Sequence, residues 1–291
     1  MGFAERVARL PLLGLGVSTE YGAGDGARAL DVLALHDAHP RYAGFLEVGL
    51  ETARGLDRHA RAWVERGLPA TYHFLDVNLD EPEDLDAAWL SEVRALCAAI
   101  RPAWMCGDAG LWHFGRRERG HMLLLPPVLS DGAASAMGDG IAALRAATGL
   151  EVLPENPPGA LYVGALHLLD FYARVCARGD TGMLLDCAHL AIYQRTQGLD
   201  ALAGLDGFPL ERVVEMHVAG GSPRRAADGF DWVEDDHTPA VLPETWRIFE
   251  HVAPRAPNLK AVVFECERNP AADCLEGFAR IARAAAPGLT P

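Results

Sequence analysis

Six short apolar runs of this chain, each with β character, end in a side chain able to ligate a metal: Glu47, His73, Glu155, Asp186, the pair Glu215/His217, and Glu265. Side chains so far apart in sequence converge only if the ends of their strands ring a common centre. That is the geometry of a closed parallel β/α barrel. Runs with β character recur at Leu12–Val17, Gly44–Leu50, Pro69–Phe74, Pro102–Cys106, Leu150–Glu155, Gly182–Cys187, Arg212–Val218 and Lys260–Glu265. Amphipathic stretches alternate with them at Gly26–His36, Ala53–Gly67, Leu85–Ile100, Gly132–Thr148, Leu161–Arg178, Leu190–Leu202, Pro243–His251 and Ala272–Ala286. Strand followed by helix, eight times over, predicts an α/β fold: a single (β/α)8 TIM barrel spanning residues 1–291, with a metal site at the C-terminal face of the strands. The length of 291 residues suits such a barrel. The longest irregular segments, Gly107–Asp131 and Gly220–Leu242, follow strands and would lie over the same face, as lids or binding loops do.

Charge and composition narrow the function. With 26 Lys+Arg against 40 Asp+Glu the net charge is −14. Phosphate backbones are repelled overall, so nucleic acid is excluded as an expected partner. No segment approaches the length of apolar chain that crosses a bilayer, the N-terminal MGFAERVARLPLLGLGV has the wrong flanks for a signal peptide, and Arg6 stands where acylation needs Ser or Thr. The six cysteines form neither a CxxC pair nor a dense framework, which predicts reduced thiols, a cytoplasmic protein and no membrane partner. No GxGxxG in a strand–helix setting, GxxxxGK[ST] or GxSxG occurs, so neither nucleotide binding nor a serine nucleophile is supported.

Taken singly, each candidate ligand has a structural explanation: Glu47 as a strand-end residue bonded to a loop, His73 as a satisfied core histidine. Denser motifs shift that balance. LLDCAHL sets Asp186 and His189 where a strand breaks, VVEMHVAGG puts Glu215 and His217 on one side of a strand by its period of two, WVEDDHTPAV offers Asp235, Asp236 and His237, and VVFECERNP puts Glu265 and Glu267 on one face. LPENPP adds Glu155 and Asn156. Gathering so many ionisable groups at one rim without a cation would cost several kcal/mol for each unpaired charge. Mixed imidazole and carboxylate ligation suits Fe, Mn or Zn in open catalytic sites, and more than four candidates suggest more than one ion. Cys187 and Cys266 alternate away from Asp186 and Glu265 and are expected in the core.

At these residues the chain resembles the multinuclear non-heme iron-dependent oxidative enzymes, the barrel family that includes the methanobactin-forming oxidase and the enzyme that excises a carbon from a peptide's C-terminal cysteine. The resemblance runs from GLGVSTE to FECERNP through FLEVGLE, YHFLDVNL, PENPP, LLDCAHL, EMHVAGG, DDHTPAV followed by PETW, and FECE. It implies iron ligation by His73, Glu155, Asp186, His189, His217, Asp235, His237 and Glu265, with Asp186, His217 and Asp235 at the chemistry, Glu47 and Asn156 as mouth residues that either support the ligands from behind or contact substrate, and Trp112 toward substrate. It departs after the fourth strand, where a Ser-Asp/Glu-His-Leu motif is common and this chain reads CGDAGLWHFG, leaving Asp108 or His113 as the ligand there; Glu267 also stands where Asp is common. The resemblance implies two or three irons (Fe2+/Fe3+), O2 as co-substrate, and oxidation next to sulfur in a cysteine-containing precursor peptide. It also implies a separate leader-binding partner protein. Trp112, Phe114, Arg116 and Arg117 are available in the first long loop to grip the peptide. Two other readings stand beside it: a divalent-metal sugar isomerase or endonuclease IV-like metallohydrolase of the xylose-isomerase-like type, and a non-catalytic metal-storage protein.

Overall fold

Strand β1 (Gly14–Glu20) pairs in parallel with β2 (Phe45–Leu50), and the pairing continues through β3 (Ala70–Phe74), β4 (Met105–Asp108), β5 (Val152–Glu155), β6 (Met183–Asp186) and β7 (Val213–Arg225). Strand β9 (Ala261–Glu265) lies parallel between β7 and β1 and closes the ring. These relations come from a computed structural model that describes residues 1–20, 29–115, 119, 123–227, 229–285 and 289. The eight barrel strands coincide with the eight expected runs to within a few residues at either end, except that β7 continues past the expected end at Val218 to Arg225.

Helices α2 (Val32–Ala38), α3 (Arg58–Glu65), α4 (Ala87–Ile100), α5 (Asp131–Thr148), α6 (Leu168–Gly179), α7 (Cys187–Thr196), α8 (Pro243–Val252) and α9 (Ala271–Ala284) follow the strands. Their starts are set locally: Asp31, Asp57, Asp86, Ser130 and Asp186 each accept a backbone N–H of the first turn, satisfying a donor that the helix cannot. Their apolar faces bury Trp63, Trp89, Ile141, Phe171, Phe249 and Phe278 against the outside of the barrel. Among the described residues no helix is long and apolar enough to cross a membrane, and none of the six cysteines is in a disulfide. Cys187 and Cys266 are buried in the outer apolar layer, as alternation requires.

Two elements depart from the sequence expectation. A short N-terminal helix, α1 (Phe3–Val7), sends Phe3 and Val7 into a second apolar cluster with Phe45, Trp104, Leu153, Leu184, Val214 and Val263. It plugs the N-terminal end of the barrel and is tied down where Arg6 Nε meets Glu151 Oε2 at 2.8 Å. The segment Gly220–Leu242, read as irregular, instead holds β8 (Asp231–Thr238), which pairs antiparallel with the far half of β7. Its sequence, DWVEDDHT, is too acidic to register as a strand, yet the long extension of β7 supplies a full backbone partner.

The barrel interior is apolar below and polar above. Gly16 is part of the lower packing: a Cβ there would lie 2.4 Å from the Phe45 ring, so only glycine lets that ring fill the barrel. Above it the Trp104 indole N–H donates to Glu215 Oε2 at 2.6 Å, inside the barrel. Burial first, and Glu47 second, push the Glu215 carboxyl up to about 8. Trp104→Phe keeps most of the ring volume but removes this donor; we expect about 1–3 kcal/mol of lost stability, seen as a lower urea midpoint with an unchanged slope. An unchanged midpoint would show that the bond contributes nothing.

Candidate metal centre

The inward side chains at the C-terminal ends of the strands meet in one place. His73 closes β3, Asp108 β4, Glu155 β5 and Asp186 β6, while His217 faces inward from β7 and Glu265 ends β9. Hydrogen-bonding register aligns them: Asp108 lies beside Glu155, and Asp186 beside His217. The hairpin adds Asp235 and His237, and α7 adds His189 one turn after the Asp186 cap. A cavity of about 290 Å³ opens over them, lined by Glu47, His73, Asp108, Trp112, Glu155, His189, Asp235, His237 and Glu265, with Ser18, Thr19, Gly49 and Arg268 on its remaining wall.

Each imidazole in this cluster has a carboxylate close by. His73 Nε2 lies 2.8 Å from Glu155 Oε2, His217 Nε2 3.1 Å from Glu47 Oε2, and His189 Nε2 2.9 Å from Asp235 Oδ2. The other oxygen of Glu155 lies 3.5 Å from His189 and 3.3 Å from His217. Donor atoms from Glu47, His217 and Glu265 come within 4.8 Å of one another, as do those from His73, Asp108 and Glu155, and those from Glu155, Asp186 and His189. Such spacings suit a shared ion, since nitrogen and oxygen ligands stand about 2.0–2.2 Å from a transition metal. Asp186 Oδ2, Asp235 Oδ1 and Glu265 Oε2 are buried with no hydrogen-bond partner among the described residues. Buried carboxylate oxygens without partners are costly unless a cation takes them, so the donor set fits metal ions of the kind held by mixed N/O sites.

Protonation follows from the same crowding. Burial works against the His73 imidazolium, but Glu47, Glu155 and Asp108 outweigh it and lift that pKa to about 10. Burial raises Asp186 to about 7, with Glu265 and Glu155 adding to it and His189 opposing. For Glu265 the same burial is overcome by His217 and His237, which hold the carboxyl down at about 2. In the absence of metal, protons on the histidines carry the positive charge that the carboxylates require.

A further set of residues fixes the orientation of these donors. Asn156 accepts the backbone N–H of Asp186 and donates to its carbonyl, both at 3.0 Å, so its amide is spent on the strand end and does not face the cavity. The Asn156 carbonyl lies 2.8 Å from His189 Nδ1, leaving Nε2 toward Asp235. Asp186 uses Oδ1 to cap α7 through the His189 N–H at 2.5 Å, which turns Oδ2 to the centre. His237 has a positive φ of 50° and is held by Asn269, whose side chain donates to its carbonyl at 2.7 Å. Glu267 Oε1 lies 2.8 Å from His237 Nδ1, so this glutamate does the orienting work at that position. The sequence pairing of Glu265 with Glu267 on one face was the signal for it.

The residues after β4 separate. Asp108 joins the cluster, whereas His113 does not: its Nε2 lies 2.9 Å from Asp84 and its Nδ1 2.7 Å from the Gly115 carbonyl, so both ring nitrogens are taken by a loop network. Asn78 belongs to the same network, accepting the Trp112 N–H at 2.7 Å and donating to the His113 carbonyl at 3.0 Å. Trp112 Nε1 donates to the Asp108 carbonyl at 2.9 Å, so this residue offers the cavity a ring wall and no free donor. Asn78 and Asp84 gave no sequence signal, because neither ends a strand. Phe114 is exposed, and Arg116 and Arg117 lie outside the described residues.

Comparison with known proteins bears on the fold and the family of the chain. A UPF0276 protein of Bordetella parapertussis is 29% identical over 259 residues, covering 86% of this chain and 88% of that protein. Another UPF0276 protein, of Caulobacter vibrioides, is 25% identical over 268 residues, 90% of this chain and 93% of its own. Among solved structures, a xylose isomerase-like TIM barrel protein from Mycobacterium smegmatis in complex with magnesium superposes with a TM-score of 0.58 at 12% identity, covering 98% of this chain and 99% of that one. A 3-keto-D-glucoside 4-epimerase from E. coli gives 0.52 at 17% identity, covering 94% and 98%. These two show a shared TIM-barrel fold and nothing of substrate. The profile described as RiPP precursor modification enzyme MbnB/TglH/ChrH matches residues 22–286, nearly the whole chain, and the protein belongs to that family.

Proposed function

We propose that this family member is an O2-using, non-heme iron oxidoreductase that holds two or three irons (Fe2+/Fe3+) and modifies a cysteine of a ribosomally synthesised precursor peptide. The observation that carries the reading is the set of overlapping donor groups at one cavity, with Glu155 common to two of them and partnerless carboxylate oxygens turned inward. Bound iron would supply Lewis acidity toward a substrate thiolate and electrons for O2. The ligands in this reading are His73, Asp108, Glu155, Asp186, His189, His217, Asp235, His237 and Glu265, and His113 is left out for the reason given above.

The chain's own side chains prepare the site. Asp186, His217 and Asp235 converge from β6, β7 and the hairpin, so they border the reacting atoms, and Glu47 backs His217 from one layer deeper. Trp112 and the hairpin residues Asp235 and His237 form part of the cavity wall and would limit the water around a bound substrate. In this reading a separate partner protein captures the peptide's leader. The free cysteines fit a reducing compartment, and the cytoplasm is the proposed location. The likeness to sugar isomerases and epimerases is one of fold and favours no sugar substrate.

Anaerobic purification with metal analysis and Mössbauer spectroscopy tests the metal, and O2 uptake with cysteine-containing peptides tests the reaction. Iron-loaded protein that consumes no O2 with any such peptide, but turns over a sugar, would refute the reading. Asp186→Asn keeps an acceptor for the α7 cap but removes a charge, and His217→Ala removes an inner donor; each should lower bound iron and abolish turnover with an unchanged far-UV circular dichroism spectrum. Full iron content and normal turnover in either variant would contradict the assignment.

The protons held by the metal-free cluster must leave when a cation enters. Asp186, at about 7, ionises as pH rises, whereas His73, at about 10, gives up its proton only to the metal. Occupancy should therefore climb between about pH 5 and about pH 8, with protons released on uptake. Equilibrium dialysis across that range, with proton release followed in weak buffer, measures both; occupancy flat with pH would contradict the protonation scheme.

A further inference from the structure

Arg268 is the one arginine or lysine among the residues that line the cavity. Its guanidinium is poorly used within the protein. The nearest carboxylate, Glu267 Oε1, is 3.6 Å from Nε, beyond hydrogen-bond distance, and that oxygen is already engaged by His237 Nδ1 at 2.8 Å. Its terminal nitrogens have no partner among the described residues, and half of the side chain is exposed. Other arginines of the chain are placed differently: Arg66 and Arg178 each form two close bonds with one aspartate. Thr19 lines the same cavity, with its hydroxyl buried and without a partner among the described residues.

We propose that Arg268, with the Thr19 hydroxyl, is a carboxylate-binding subsite that orients the substrate at this mouth; the assignment rests on the peptide-oxidase reading above. A guanidinium holds a carboxylate through two parallel N–H donors in a fixed plane, which a lysine cannot reproduce. No other arginine or lysine lines the cavity, so among its lining residues this side chain alone offers a substrate carboxylate a planar pair of N–H donors. Arg268 follows Glu265 closely on the loop after β9, so a carboxylate held there puts the neighbouring thiol over the ligand cluster. That carboxylate is either the peptide's own C-terminus on a terminal cysteine or the side chain of an adjacent Asp or Glu.

Three short peptides separate the sources: acetyl-Ala-Cys as the free acid, acetyl-Ala-Cys amide, and acetyl-Asp-Cys amide. Each is titrated anaerobically into the full-length iron-loaded protein, with the thiolate-to-ferric absorption band as the binding readout and no turnover required. The free acid, the Asp peptide or both should bind about tenfold more tightly than the uncharged amide, and Arg268→Gln should erase that difference while leaving the band position and iron content unchanged. Arg268→Lys should recover only part of it. Preference for the free acid assigns the C-terminal carboxylate, and preference for the Asp peptide assigns a side chain. Equal binding of all three by the parent protein, or an equal loss for all three in Arg268→Gln, would overturn the subsite while the thiolate band upheld the site's chemistry. Absence of the band with every peptide would refute thiolate binding itself, and the subsite with it.

Discussion

Unneutralised carboxylate charge at the top of the barrel is the constraint from which the rest of this structure follows. Glu47, Asp108, Glu155, Asp186, Glu265 and Glu267 are all buried, and Asp235 sits over them. Taking even one such group out of water costs several kcal/mol after relaxation, more than any ordinary hydrogen bond returns. The fold meets this cost in two stages. Histidines supplied by the same strands and hairpin are driven to hold protons, as the upward shifts of His73, His189, His217 and His237 show. Those protons neutralise the cluster only in part, and the carboxylate oxygens left without donors are where a multivalent cation does better than a proton.

A closed barrel is suited to hold this charge because it separates the polar end from the end that provides stability. Phe3 and Val7 from α1 seal the lower interior with Phe45, Trp104 and Val263, while the helices pack an independent apolar layer outside. Glu47 and Glu215 occupy the boundary between the two ends, and the Trp104 indole spans it by giving Glu215 a donor from the apolar side. Strands β1 and β2 present the small residues Ser18, Thr19 and Gly49 at the cavity wall beside Glu47, while β3, β4, β5 and β9 present His73, Asp108, Glu155 and Glu265.

Much of this was legible in the sequence because a strand end is both a structural and a chemical position. FLEVGLE, LLDCAHL and FECE each join an apolar run to a charged residue, and the barrel turns that local pattern into convergence. What escaped was set by tertiary partners. DWVEDDHT carries no strand signal of its own and is a strand only because β7 overshoots the barrel and offers its backbone. His113 resembled a ligand, since sequence cannot show that Asp84, in the preceding βα loop, binds its ring nitrogen first. Asn156 next to Glu155 was legible as a mouth residue that either supports a ligand or contacts substrate; only β5 and β6 side by side show its amide consumed in aligning Asp186.

Glu155 shows how geometry alone bears on the number of ions in the proposed centre. One of its oxygens is 2.8 Å from His73, while the other lies 3.3 Å from His217 and 3.5 Å from His189. Two oxygens turned to different imidazoles would let this carboxylate serve more than one cation in the proposed centre. The His73 and His217 rings stack with centroids 6.0 Å apart. The hairpin then adds Asp235 and His237 on the far side of His189, extending the same row of donors. In the proposed centre the barrel strands would hold one group of donors, and β8, whose His237 is anchored through Asn269 and Glu267, would add another.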